Sequence, residues 1–395
     1  MRVGIVVTQF PSPEHPYIFE WIKELLSQGI DLYIITEKLS AMPQDGFWDA
    51  QSEIRKRLLR INRIDQPDLG LFVRSLVGVF ICPARLVRLF QILNRTELGK
   101  LLTVLRKVFE YLPLLTSDFD LIHFNAPQLA IRRFELKDIF QARSLVSFRG
   151  QDFTFYPDRY DRLLQAADHL HFISQFLVKQ AMERGYDGSQ HSLIPPMVDT
   201  AFYAPANSFR RRAENQPYIL FSAARLEWVK GWEFALQAVA LLIERGWDIQ
   251  YYIAGDGELK GLVLYTIDQL GITDHVHLLG WQSPEQVRDW MQKSDVYILA
   301  SVSEAFNNSV LQAQACGLPV VCSDEGGLPE NIEDGVTGLL FRHRDAWDMA
   351  EKMELLWKDA ALREKMAKNG LNRTRSCFDI RDGAISFGNL YKNLQ

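Results

Sequence analysis

At 395 residues and 47% hydrophobic, the chain exceeds one ordinary core and predicts two domains of roughly 180 residues each. A formal net charge of −5 and a pI near 6.0 argue against a general nucleic-acid binder, which needs a basic face to neutralise phosphates. Cys82, Cys316, Cys322 and Cys377 show no C-x-x-C spacing, so a reduced, cytoplasmic setting is expected, with no zinc site or disulfide scaffold.

The opening MRVGIVVTQFPSPEHP turns polar and Pro-rich too soon for a signal segment or a spanning helix, and reads as a first buried strand. DLYIIT, DLIHF, SLVSF, HLHFIS and SLIPP follow as short apolar runs, with segments of helical period between them. Runs without strict alternation are buried on both faces, which predicts a parallel sheet covered by helices. His123 and Asn125 close the run DLIHFN and point to a ligand-binding edge if that strand is parallel. His169 and His171 alternate onto one strand face; lacking a third ligand, they read as core or edge residues rather than a metal pair.

Residues 55–107 break the pattern. They carry Arg55, Lys56, Arg57, Arg60, Arg63, Arg74, Arg85, Arg88, Arg95, Lys100, Arg106 and Lys107 against Asp65, Asp68 and Glu97. ARLVRLFQIL and LLTVLRKVFEYL fit amphipathic helices with basic edges, the composition of a surface that meets anionic lipid. The alternative is a helical insert whose charges are simply solvated.

TAFYAPANSFRRRAENQP (200–217) lacks apolar periodicity and is expected to link a first domain, 1–205, to a second, 217–375. A terminal helix, 380–395, is expected to pack back on the first. The second domain repeats the strand style in YILFSAA, IQYYIAG, VHLLG, VYILA, PVVCS and GLLF. Two such halves facing each other would place the carboxyl ends of both sheets around one cleft.

The loops after these strands carry the candidate chemistry. After YILFSAA, Arg225 and Lys230 lie beside a helix start, a suitable place for a diphosphate, or else are solvated surface charges. Gly255 and Gly257 allow a tight turn with close backbone approach. After VYILA comes SEAFNNSVLQAQACGLPVV, in which Glu304 suits sugar hydroxyls and the amides near Asn307, Asn308 and Ser309 suit phosphate oxygens. Gln312, two turns into the helix, is placed to hold a ribose. The structural alternative is that Asn308 or Ser309 caps the helix and Glu304 is a surface acid. SDEGGLPENI reads as a turn with a capped helix.

Taken in order, AARLEWVKG (223–231), AGDG (254–257), HLLGW (277–281) and SEAFNNSVLQAQACGLPVVCSDEGGLPENIEDGVTGLLF (303–341) resemble the donor half of the retaining family 4 glycosyltransferases. FPSPEHPYIFEWIKELLSQGIDLYIIT, SFRGQD and AADHLHFIS through SLIPPMVDTAFYAP are similar to that family's first domain, more loosely. The resemblance implies an α/β protein of GT-B architecture, with two Rossmann-like, doubly wound parallel-sheet domains facing an interdomain cleft. It implies transfer of a sugar from a nucleotide-sugar donor, UDP- or GDP-linked, with retention and with no cofactor or obligatory metal.

Arg225 and Lys230 match the family's phosphate-binding pair, and Glu304 matches the first acid of E-x(7)-E. Phe306, Asn307, Asn308 and Ser309 match the donor loop, and Gly280, Trp281 and Gln282 the base contact. The expected acceptor is a saccharide or lipid-linked saccharide, for cell-surface polysaccharide or glycolipid synthesis, with peripheral contact to the inner membrane face through 55–107. His15, His123, Asn125, Arg149 and Asp152 are the acceptor-side candidates.

Three departures stand out. Gln312 replaces the second acid. Pro11, Pro13 and His15 replace a glycine-rich first loop. Arg149 replaces the histidine of His-Gly-x-Asp, putting a fixed cation where a neutral ring is usual. They leave open a sugar-nucleotide binding protein without catalysis, and other GT-B activities, phosphorylase or epimerase, also stay open.

Overall fold

The apolar runs become two all-parallel sheets in a computed structural model that describes residues 1–12, 16–40, 52–61, 70, 82–96, 101–150, 152–156, 158–206 and 216–394. Two units result. One comprises Met1–Phe172, Val178–Ile194 and Gly383–Gln395, the other Ile173–Leu177 and Pro195–Asp382.

In the first unit the strands are β1 (Arg2–Phe10), β2 (Asp31–Leu39), β3 (Leu58–Arg60), β4 (Leu121–Phe124), β5 (Arg143–Phe148), β6 (His169–Phe172) and β7 (His191–Leu193). They stand in the order β3-β2-β1-β4-β5-β6-β7. Val3, Ile5, Val6 and Val7 of β1 and every residue of β4 are buried, as a strand covered on both faces requires.

The structure corrects the helical reading of 55–107. Leu58–Arg60 is an edge strand because β2 offers it an open ladder, with Ile34 N–H bonded to Arg57 C=O at 2.9 Å and Ile61 N–H to Thr36 C=O at 3.0 Å. Helices do form over Pro83–Thr96 and Leu101–Tyr111. The parts of the basic region at 62–69, 71–81 and 97–100 lie outside the described residues. Buried Arg133 anchors Leu101–Tyr111, reaching Glu37 at 2.9 Å and Glu110 at 3.2 Å.

The second unit holds β8 (Tyr218–Ala223), β9 (Ile249–Ala254), β10 (Val276–Gly280), β11 (Val296–Leu299), β12 (Val320–Ser323) and β13 (Gly338–Phe341), in the order β10-β9-β8-β11-β12-β13. In both sheets the chain starts inside and winds outward in two directions. The order reverses between β1 and β4, and again between β8 and β11. Crevices open outside the carboxyl ends of strands at such switch points, because the following loops depart to opposite sides. The loops after β8 and β11 are those that carry Arg225, Lys230 and Glu304.

Candidate functional site

The switch point of the second sheet brings together residues 74 apart in sequence. Lys230 Nζ donates to Glu304 Oε1, and Ser301 Oγ (3.2 Å) and Asn307 Nδ2 (2.9 Å) donate to the same oxygen. Both side chains of the ion pair are about nine-tenths covered (12% and 9% exposed), so solvent screens the pair little. No hydrogen bond to Glu304 Oε2 is recorded among the described residues, so that oxygen keeps its accepting capacity.

Backbone packing holds the carboxylate in place. Gly327 N–H donates to Glu304 C=O at 2.9 Å, and a Cβ on Gly327 would lie 1.8 Å from Ala305 O. Only glycine lets the two loops approach so closely. Asn331, fully buried, accepts from Asn307 N–H (3.0 Å) and donates to Asn307 C=O (2.9 Å).

The cap of the helix Asn308–Ala315 is Asn307, not Asn308 or Ser309. Its Oδ1 accepts from Val310 N–H (3.1 Å) and Ser309 Oγ (2.7 Å), and Ser309 accepts in turn from Tyr297 Oη (2.6 Å). The reading of Glu304 as a surface acid is likewise corrected, since the loop folds it inward to 8% exposure. Asn308 and Gln312, one turn apart and half-buried, make no side-chain hydrogen bond recorded among the described residues. Gln314 instead turns inward to Asn331 C=O at 3.1 Å.

Arg225 sits at the rim with a 61% exposed side chain, donating to Glu227 at 2.6 Å. The structure therefore places Lys230 on Glu304 and turns Arg225 elsewhere. Gly255 and Gly257 do permit close approach, but to the chain itself. A Cβ on Gly255 would meet Ala224 O at 2.0 Å, and one on Gly257 would meet Leu226 O at 2.6 Å. Gly280 ends β10, Trp281 is 65% exposed, and Gln282 Nε2 donates to Leu279 C=O (3.0 Å) and Trp281 C=O (3.1 Å). Phe306 is buried, its ring 5.9 Å from that of Phe378.

Sequence reasoning missed Ser301, Asn331 and Tyr297. Ser301 supports the site from the same loop, Tyr297 from β11 and Asn331 from the helix Leu328–Asn331, and none stands at a spacing that announces it.

In the first unit, His123, Ser147 and His171 lie side by side on β4, β5 and β6 in a buried chain with Tyr391. The distances are Tyr391 Oη to His123 Nδ1 2.8 Å, His123 Nε2 to Ser147 Oγ 2.7 Å, Ser147 Oγ to His171 Nδ1 2.7 Å, and His171 Nε2 to Ile194 O 2.8 Å. The carbonyl only accepts, so His171 Nε2 must donate to it. Ser147 then donates to Nδ1 and accepts from His123 Nε2–H, and Tyr391 donates to His123 Nδ1. Every proton is assigned, with both rings neutral. Burial lowers both imidazole pKa values, that of His171 to about 3, and nearby Arg149 adds to the effect.

Asp152 accepts from Gln128 Nε2 (2.9 Å) and from the Arg149 and Gly150 amides (3.2 and 3.3 Å). Burial nonetheless raises its pKa. Asn125 is buried one residue past β4, and His15 lies outside the described residues. His169 bonds Ser192 Oγ at 2.9 Å.

Two Rossmann-like units, each a doubly wound parallel sheet, make this an α/β protein of GT-B architecture. Anabaena HepE, solved in complex with UDP and glucose, shares the fold with a TM-score of 0.74 over 99% of each chain, at 16% identity. Residues 205–373 match the family described as Glycosyl transferases group 1.

D-inositol 3-phosphate glycosyltransferase of Pseudarthrobacter chlorophenolicus is 33% identical over 212 residues, which are 51% of this chain and 50% of that protein. The amylovoran biosynthesis glycosyltransferase AmsK of Erwinia amylovora is 28% identical over 247 residues, 59% of this chain and 60% of that protein. The chain thus spans about half the length of these curated relatives, or a little more.

Proposed function

We propose that this chain transfers a sugar from a nucleotide-linked donor to a saccharide or lipid-linked saccharide, with retained anomeric configuration. The observation that carries this reading is the Lys230–Glu304 pair at the switch point, beside the amides of a capped helix. Three donors hold Oε1, which leaves Oε2 to accept from hydroxyls of the donor sugar. Lys230 supplies positive charge where a leaving diphosphate develops negative charge, exposed Arg225 would join it by exchanging Glu227 for the phosphate, and the amides at the start of Asn308–Ala315 suit its oxygens. Asn308 and Gln312 present free amides for ribose hydroxyls.

The names of similar proteins support the same reading: one glycosylates an inositol phosphate, one serves polysaccharide synthesis, and HepE was solved with UDP and glucose. Retention, the UDP- or GDP-linked donor and independence from metal follow from the family resemblance. Membrane contact is part of the proposal. The two basic helices expose Val87, Phe90, Leu101, Leu102 and Leu105 near Arg95 and Arg106. Among the described residues no helix is long and apolar enough to cross a membrane.

Incubation with a panel of UDP- and GDP-sugars tests the reading. One donor is expected to be bound and then slowly hydrolysed or transferred, with turnover lost in Glu304→Ala and binding to anionic vesicles alongside. If no donor is bound or turned over, the proposal is wrong. Gln312 in place of the second acid favours a second reading, a sugar-nucleotide binder without catalysis, and donor binding with no turnover in the wild type would select it.

A further inference from the structure

Arg149 is the first residue past β5, two residues beyond Ser147 and so on the same side of the strand by alternation. Its guanidinium carbon lies 5.5 Å from the Trp21 ring centre, and that ring stands edge-on to His123 at 5.8 Å. Arg149 Nε is buried with no hydrogen-bond partner; the guanidinium meets the neutral Tyr17 hydroxyl, and no carboxylate among the described residues forms an ion pair with it.

The nearest acid in sequence, Asp152, spends its oxygens on backbone amides and Gln128. The hydrogen-bond chain from Tyr391 to Ile194 contains imidazoles, hydroxyls and a carbonyl but no carboxylate, so nothing in it balances the cation. Two further buried polar atoms are also unpartnered: Trp21 Nε1, a donor, and Asn125 Oδ1, an acceptor one residue past β4. A partly buried cation without a counter-charge is costly to keep unless a ligand supplies the charge.

We propose that this corner of the first unit is an anion subsite, in which Arg149 receives the carboxylate or phosphate group of an acidic saccharide acceptor and Asn125 Oδ1 accepts from one of its hydroxyls. The inference rests on the glycosyl-transfer reading and specifies its acceptor. Arginine suits the task because its planar fork binds either group through two parallel hydrogen bonds.

Calorimetric titration of the full chain with glucuronate, glucose 6-phosphate, inorganic phosphate and neutral glucose tests it, with UDP titrated in parallel. At least one sugar acid is expected to bind about tenfold or more tightly than glucose, because hydrogen bonds to charged groups are strong. The preference should weaken with salt, vanish in Arg149→Gln and survive in part in Arg149→Lys. Glucuronate winning assigns the carboxylate, and glucose 6-phosphate winning assigns the phosphate.

Glucose binding as tightly as the acids, inorganic phosphate binding as tightly as either sugar acid, or an acid preference unchanged in Arg149→Gln would each overturn the subsite. UDP binding without any acid preference sinks this inference alone, whereas absence of nucleotide and nucleotide-sugar binding sinks the transferase reading beneath it. If Arg149→Gln fails to fold in a thermal melt, the wild-type acid-to-neutral ratio and the Lys variant decide.

Discussion

Gln312 shows how one side chain separates what a helix needs from what a site needs. It lies on the same helix as Gln314, yet the Gln314 side chain is buried and bonded to Asn331 C=O, whereas the Gln312 side chain is half-buried and makes no hydrogen bond among the described residues. Packing therefore does not explain Gln312. A carboxylate there would make charge-assisted hydrogen bonds to ribose hydroxyls, about twice as strong as neutral ones. Gln312→Glu is expected to tighten UDP or GDP binding several-fold in calorimetric titration. Unchanged or weaker binding counts against the ribose assignment. The substitution was visible in the sequence, but the inward turn of its neighbour was not.

At the scale of elements, the site is built where loops from neighbouring parallel strands pack backbone to backbone. The loop after β11 lies against Gly326-Gly327, with Gly326 at φ +58 and Gly327 too close to Ala305 O for any side chain. Gly327→Ala has to push the 304–306 backbone aside, at a cost of about 1–3 kcal/mol from overpacking. The expected result is a lower Tm together with weaker nucleotide binding, because the displaced segment carries Glu304. Loss of stability with intact binding would show that the loop relaxes without moving the carboxylate. The glycine pair was legible as a turn, but its partner loop, more than twenty residues upstream, was not.

At the scale of the whole chain, the first unit is completed by a contact between Tyr391 and His123, 268 residues apart. It fixes the helix Ile380–Asn393 on the first sheet through its residues from Gly383 onward, with Phe387 4.8 Å from Trp21. The buried imidazoles make this arrangement sensitive to acid. An unfolded imidazole binds its proton near 6.5, whereas folded His171 does so only near about 3, chiefly because burial penalises the charged ring.

Between those values the unfolded state binds more protons. The contribution is fully present above pH 6.5 and is lost as pH falls toward 3. Asp379, held down to about 2 by Arg381 and Thr200 against the opposing effect of its burial, acts only at lower pH. Melting temperature is expected to drop between pH 7 and pH 5, and His171→Gln should flatten that slope. Equal slopes in wild type and variant would show that the rings are not held neutral.

The sequence by itself determined the α/β class, the runs that become β8 to β13, and the loops that carry polar chemistry. Those features are local: apolar runs, turn residues and helical period are written in consecutive positions. Leu58–Arg60 lay beyond such reading, because three residues with an arginine among them form a strand only when an open edge is present. Tertiary structure alone decided that Lys230 meets Glu304, that Asn331 braces Asn307, and that Tyr391 completes the chain through His123. Parallel strands must be joined by long crossovers, so residues that adjoin at a sheet's carboxyl edge are necessarily distant in sequence.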